Sequence, residues 1–230
     1  MPFITCFRNR FNCKDQEPVN DGVEFSNLMR YAEEIARLRG NEGIIDLQRA
    51  SLRSIQSYHI IAAYLDAEYQ KPDPINVLKD FGIRDTFKKL IDRDGASTDI
   101  KIKLGRDTIL PTVWNESSLV KTIGVIGENR RCGEFLQSDN HRVIWWIPLH
   151  IGWVTNGNHS LAQGILNACG ELVPSEVYDL SELYHHARYD GYRFVCIKSG
   201  KALGVPRYRE FGWAFELGRL IGDTADSVAP

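Results

Sequence analysis

From Trp153 to Ala162 the chain reads Trp-Val-Thr-Asn-Gly-Asn-His-Ser-Leu-Ala. Hydroxyls, side-chain amides and an imidazole crowd around one glycine. An apolar run, 143–149, leads toward this stretch, and a small-residue amphipathic segment, 161–169, follows it before Gly170. A second apolar stretch begins near Leu172. The pattern is strand, polar turn, helix, loop, strand. The first turn of a helix leaves backbone N–H groups without intrahelical partners, and its dipole favours negative charge there. A phosphate suits such a turn. Gly157 permits a positive φ, and Thr155, Asn156 and Asn158 offer donors and acceptors around it. Ser160 and Gln163 fit the S-x-x-Q capping box, so the spacing predicts Ser160 as the N-cap. An ordinary strand-to-helix connection uses the same residue types. His159 is the residue such a connection does not require, although an interior hydrogen-bonded histidine would also account for it.

A second group lies upstream, at Gly127-Glu128-Asn129-Arg130-Arg131-Cys132-Gly133. Arg130 and Arg131 could bring charge to a phosphate. Glu128 could activate water or hold Mg²⁺, a cation that prefers carboxylate and phosphate oxygens. Mixed charges of this kind also describe a solvated loop. Glu182 and His186, four residues apart, share a helix face near His185 and Asp179, but no H-E-x-x-H pattern supports a metal site. His150 could lie near the turn or be an exposed strand residue. Tyr208, Phe211, Trp213 and Phe215, beside Arg207, Arg209 and Arg219, could stack bases. Packing of an amphipathic helix explains them more simply. A Walker A lysine motif, a G-x-G-x-x-G fingerprint and a G-x-S-x-G elbow are all absent.

The elements that would hold these residues are legible in outline. Residues 1–22 are polar and irregular, the pattern of a loose arm. Ser26 is the expected cap of a first helix carrying Leu28, Tyr31, Ile35 and Leu38 and stopped at Gly40. A second helix is expected over about 45–69 and a third over 75–92, so residues 23–93 form a helical lobe. After Asp94-Gly95 the pattern changes to short alternating strands: 100–104, 107–114, 143–149 (central, by its apolarity), 151–155, 173–178 and 192–197. Short helices are expected at 119–126 and 181–189, and a last helix over 206–221. The whole reads as an α+β protein: a helical N-terminal lobe packed on a small mixed-sheet domain, about 98–200, closed by a helix at about 205–222.

Composition sets further bounds. The chain has 230 residues, 43% of them hydrophobic and 25% charged, with a net charge of −2. That is ordinary for a globular protein, and it gives no overall field toward nucleic acid. Five cysteines, without C-x-x-C spacing, argue against a disulfide framework or a zinc ribbon. Free thiols in the cytoplasm are the expectation. No apolar run approaches the 18 residues of a membrane span, so a membrane is not an expected partner.

Thr155-Asn156-Gly157-Asn158-His159-Ser160-Leu161-Ala162 resembles the nucleotide-binding box of the ParB/sulfiredoxin superfamily, where a strand ends in a D-G-x-H-R-x-x-A or G-E-R-R-x-R-A turn that opens a helix. Gly170-Glu171-Leu172-Val173-Pro174 and Val177–Ser181 are similar to that family's helix end, its Val-Pro and its next strand. Leu110-Pro111, residues 118–123 and Ile147-Pro148-Leu149 are similar to its opening strand, first helix and second strand. Glu128-Asn129-Arg130-Arg131 also resembles the G-E-R-R box, but the later motif fits the helix length better. The likeness spans about 100–189. It implies a nucleotide or phosphorylated small molecule held by Thr155, Asn156, Gly157, Asn158 and Ser160, with Arg130 and Arg131 adding charge. His159 would orient the ligand or exchange a proton, and Glu128 would act with Mg²⁺ in a nucleotide hydrolase or phosphotransferase. Ser160 stands where the family has an arginine, so one neutral hydrogen bond replaces a bidentate, charge-assisted pair. Asn158 stands where sulfiredoxin has its cysteine, so sulfinic-acid reduction is not expected. The alternative is a non-catalytic module, with a degenerate nucleotide site, that binds DNA or a protein partner.

Overall fold

A computed structural model describes residues 21–65, 89–95, 99–113 and 116–226. Residues 1–20 of the expected arm, 66–69 of the second helix and 75–88 of the third lie outside these. Helix α1, Asp21–Leu65, is two helices joined at Gly40, whose φ of 63° is not helical. The break falls where the sequence places a stop, because a left-handed residue ends one helix and glycine adopts it without strain. Ser26 is not a cap. The helix begins earlier, and the Ser26 hydroxyl donates to the Gly22 carbonyl one turn back.

Beyond it come β1 (Asp92–Asp94), β2 (Ile102–Lys103), β3 (Thr108–Leu110), helix α2 (Glu116–Thr122), β4 (Arg142–Ile147) and β5 (Ile151–Asn156). Helix α3 (Asn158–Leu166), β6 (Glu171–Leu172) and β7 (Glu176–Asp179) follow. A 3₁₀ turn (Ser181–His185), β8 (Ala187–Tyr189), β9 (Phe194–Cys196), β10 (Ala202–Gly204) and helix α4 (Arg209–Asp226) complete the order. The main sheet runs β1-β7-β4-β5-β3. β4 is antiparallel to β5 and parallel to β7; β3 is parallel to β5. Asp92, expected as a helix end, instead opens the edge strand Asp92–Asp94 against β7. The architecture is α+β, with a helical N-terminal region against mixed sheets.

β4 is central because both its faces are covered. Ile144 and Trp146 join a core with Ile151, Trp153, Leu52 and Ile55 of α1, and Phe211 and Phe215 of α4. Val143 and Trp145 face the opposite core, with Ile109, Val154, Phe135, Leu104 and Leu161 of α3. The aromatics of α4 thus serve burial, and burying each such ring contributes roughly 1.5–3 kcal/mol. A polar seam fastens α1 to the sheet. Gln48 Nε2 donates to the Pro148 and Ala214 carbonyls at 3.1 and 3.0 Å. Its Oε1 must then accept, so His150 Nδ1 carries the hydrogen shared between them at 3.1 Å. Gln56 Nε2 reaches the Ile109 carbonyl at 3.0 Å. Buried Asp107 meets Arg49 at 2.8 Å and Arg106 at 3.0 Å and accepts the Lys103 N–H at 2.7 Å. Burial alone opposes ionisation of Asp107. The bonds to Arg106 and Lys103, with the charges of Arg106 and Arg49, outweigh it and hold the carboxyl below its ordinary range. Among the described residues no helix is long and apolar enough to cross a membrane.

Candidate functional site

The β4–β5 hairpin delivers the chain to the turn. β5 ends at Asn156, Gly157 takes a left-handed conformation (φ 81°, ψ 22°), and α3 starts at Asn158. Glycine is required twice over. The φ disfavours any side chain, and an added Cβ would stand 2.6 Å from His141 Cδ2 and 2.9 Å from the Asn140 carbonyl oxygen.

The expected capping box does not form. Gly157 is the N-cap and makes no side-chain cap bond, and Ser160 is the third residue of the helix. The Ser160 hydroxyl lies 3.0 Å from His141 Nε2 and 3.4 Å from the Gly157 carbonyl. Gln163 turns away and accepts the Gly124 N–H at 2.8 Å. The other polar residues are tied in place. Asn156 Oδ1 accepts the Gly157 N–H at 3.0 Å while its Nδ2 donates to Asn140 Oδ1 at 2.9 Å. Thr155 Oγ1 donates across the hairpin to the Arg142 carbonyl at 3.3 Å.

Asn158 is oriented by its neighbour. Its Oδ1 accepts the Thr112 N–H at 2.6 Å, which fixes the flip of the amide and leaves Nδ2 as a donor. No acceptor for Nδ2, or for the backbone N–H groups of Asn158 and Ser160, occurs among the described residues. The first turn also carries no acidic residue. His159 is half-buried as the second residue of α3.

The Ser160–His141 pair resembles a nucleophile and its base only in distance. The Ser138 backbone N–H donates to His141 Nδ1 at 2.9 Å. An amide N–H can only donate, so Nδ1 is bare and the imidazole hydrogen sits on Nε2. His141 therefore donates to Ser160 and cannot remove its proton in this state. Burial holds the His141 pKa below its ordinary value.

The second group does not join this turn. Loop 124–134 is pinned to the far half of α3 by Gly124 N–H on Gln163 and by Asn167 Nδ2 on the Ile126 carbonyl at 2.9 Å. An added Cβ at Gly127 would meet both Arg130 Cδ and Asn167 Cγ at 3.0 Å, which places Arg130 at that end of α3. Ten residues of helical rise separate Gly157 from Asn167, about 15 Å. Glu128 and Arg131 are exposed on the same loop, so the expected Mg²⁺ ligand and paired arginines stand apart from the turn. Among the described residues no three His, Cys, Asp or Glu cluster as a metal site. His186 and Glu182 form an exposed pair at 3.2 Å.

A family model matches residues 9–228. The chain belongs to DUF6710, a family of unknown function. No curated protein and no solved structure matches it. Function in this family member must be read from the site itself, where two residues went unnoticed in the sequence. Arg142 pairs in register with Asn156 and is exposed beside the turn. His141 precedes it and packs on Gly157. The hairpin carried the signal: pairing 143–149 with 151–155 around Pro148 sets residues 141 and 142 opposite 156 and 157.

Proposed function

We propose that the first turn of α3 binds the phosphate of a nucleotide or phosphorylated small molecule. The observation that carries this reading is the set of donors at Asn158 and Ser160 that face no acceptor among the described residues: two backbone N–H groups and the Asn158 amide. They sit at the positive end of a helix dipole, without a nearby carboxylate on that turn. Arg142 supplies the adjacent cation, and His159 is the neighbouring imidazole. The Ser160 hydroxyl serves the turn rather than the ligand, because His141 and the Gly157 carbonyl already engage it. The likeness to the ParB/sulfiredoxin box supports the reading. The likeness implies an opening strand, a helix, a second strand, the turn's helix and a further strand; β3, α2, β4–β5, α3 and β7 follow one another in that sense, with the two-residue β6 between the last two.

Binding is favoured over turnover. Hydrolysis or phosphoryl transfer needs a base or a metal beside the phosphate. Glu128, the expected metal ligand, lies with Arg130 and Arg131 at the other end of α3, which leaves His159 as the turn's proton-exchanging group without that carboxylate or the paired arginines beside it. A protein or DNA partner is the reading that follows if no nucleotide binds.

The test is a thermal-shift panel of nucleoside mono-, di- and triphosphates and inorganic phosphate, with and without Mg²⁺, on wild type and Asn158→Asp. Aspartate keeps an acceptor for Thr112 N–H but replaces the Nδ2 donor with negative charge. A ligand at a hundred times its Kd stabilises by about 2.7 kcal/mol, a shift of about 5–10 °C for a chain of this size. The shift should occur in wild type and vanish in Asn158→Asp. No shift with any ligand, or an equal shift in both proteins, overturns the proposal.

A further inference from the structure

His141 joins three pieces of the chain that are distant along the sequence or in role. Its Nδ1 accepts the Ser138 N–H at 2.9 Å and lies 3.1 Å from the Ser138 hydroxyl. Its Nε2–H donates to Ser160 Oγ at 3.0 Å. The ring rests on Phe135, with centroids 4.7 Å apart, and its Cδ2 edge fills the space a Cβ on Gly157 would occupy. The imidazole thus has both nitrogens engaged and a single neutral tautomer compatible with its partners.

Protonation has a defined consequence in this arrangement. The new hydrogen can go only on Nδ1, where it faces the Ser138 N–H. Two donors cannot share a hydrogen bond, so the backbone contact must break. The Ser138 hydroxyl stands at bonding distance of the same nitrogen and can turn its lone pair to the new N–H. The bond on Nε2 is a donation in both states and survives. We infer that His141 is a proton-operated clasp: neutral, it ties the first turn of α3 to the Ser138 backbone; protonated, it exchanges that amide for the Ser138 hydroxyl and leaves a cation beside Ser160. The charged groups nearest along the loop and β4 are Glu134, Asp139 and Arg142, all exposed, and α3 brings only His159. None of them is a cause of the depressed His141 pKa; burial is. The clasp stands on these bonds whether or not an anion occupies the turn. A bound phosphate would draw the proton onto His141 and so link binding to pH.

The experiment is an NMR pH titration of the full chain from pH 8 to 4.5, following the His141 ring nitrogens and the Ser138 and Ser160 amides. The Nε2–H tautomer is expected at pH 8. On acidification the Ser138 amide should move with the His141 midpoint, and the Ser160 resonance should move far less. Ser138→Ala keeps the amide but removes the acceptor for the protonated ring, so its His141 midpoint should fall by about half a unit, the size of a modest hydrogen bond. An Nδ1–H tautomer at pH 8, or a Ser138 amide indifferent to His141 titration, would overturn the clasp. An unchanged or raised midpoint in Ser138→Ala would overturn the exchange of partners. Since no phosphate is present, these results do not depend on the anion site.

Discussion

His59 gives the sharpest stability prediction. Its side chain is fully buried on α1, with Nε2 3.3 Å from the Tyr208 hydroxyl. Burial first, and the charge of Arg207 second, lower its pKa from 6.5 to about 3. The unfolded chain therefore takes the proton long before the folded chain does. Stability linked to His59 is complete above pH 6.5 and is lost as pH falls toward 3. At pH 5 the unfolded state gains one and a half units of protonation free energy, about 2 kcal/mol at 1.36 kcal/mol per unit. That loss holds for any folded pKa well below 5. His141 and His150 are likewise depressed, chiefly by burial, and add to the loss with the same sign. Urea unfolding followed by tryptophan fluorescence at pH 7, 6 and 5 measures the slope. His59→Gln has no titrating group at that position, so whatever its offset at pH 7, its slope between pH 6 and 5 should be smaller by about 0.9 proton, roughly 1.2 kcal/mol per pH unit. Equal slopes in wild type and His59→Gln would mean that His59 binds its proton equally in the folded and unfolded states, the opposite of what its burial requires.

Other consequences follow from named contacts. Gly157→Ala combines a left-handed backbone, which costs an L-residue about 1–2 kcal/mol, with a Cβ pressed on the Asn140 carbonyl. A total loss of about 2–3 kcal/mol should be seen in chemical denaturation. Asp107→Asn leaves Arg49 and Arg106 without their buried carboxylate and should cost about 3 kcal/mol. Because the Asp107 pKa is depressed, wild type holds that contribution above about pH 4 and loses it as pH falls through the folded pKa, whereas the variant lacks it throughout. Asn158→Asp, with a carboxylate at the helix start, should match wild type or exceed it by about 0.3–1 kcal/mol without ligand. Its loss of ligand response would then not be a loss of fold.

Local signals were the legible ones. Gly40 breaks α1 because no other residue takes a left-handed φ so readily. The run 143–147 is apolar on both faces because two cores enclose it. Gly157 marks the strand-to-helix turn. What escaped was set by distant pairing. β1 is Asp-Arg-Asp and exposed throughout, so nothing in its pattern distinguishes a strand that β7 alone defines. Ser160 resembles a cap by spacing, but the glycine three residues earlier starts the helix first and turns the serine toward His141. Arg130 and Arg131 resemble phosphate ligands by type, but Gln163 and Asn167 bind their loop to the wrong end of α3. Residue types suggested chemistry near Gly157; only hairpin register and helix length decide which side chains meet there.

The proposed anion on the first turn of α3 is open to direct observation. Amide NMR of the ¹⁵N-labelled full chain, titrated with inorganic phosphate and then with the nucleotide giving the largest thermal shift, tests it residue by residue. Saturable downfield shifts are expected at the Asn158 and Ser160 amides and at the Asn158 side-chain N–H groups, with the Gly127–Gly133 loop unmoved. Saturable shifts confined to Arg130 and Arg131, or none at Asn158 and Ser160, would contradict the proposal.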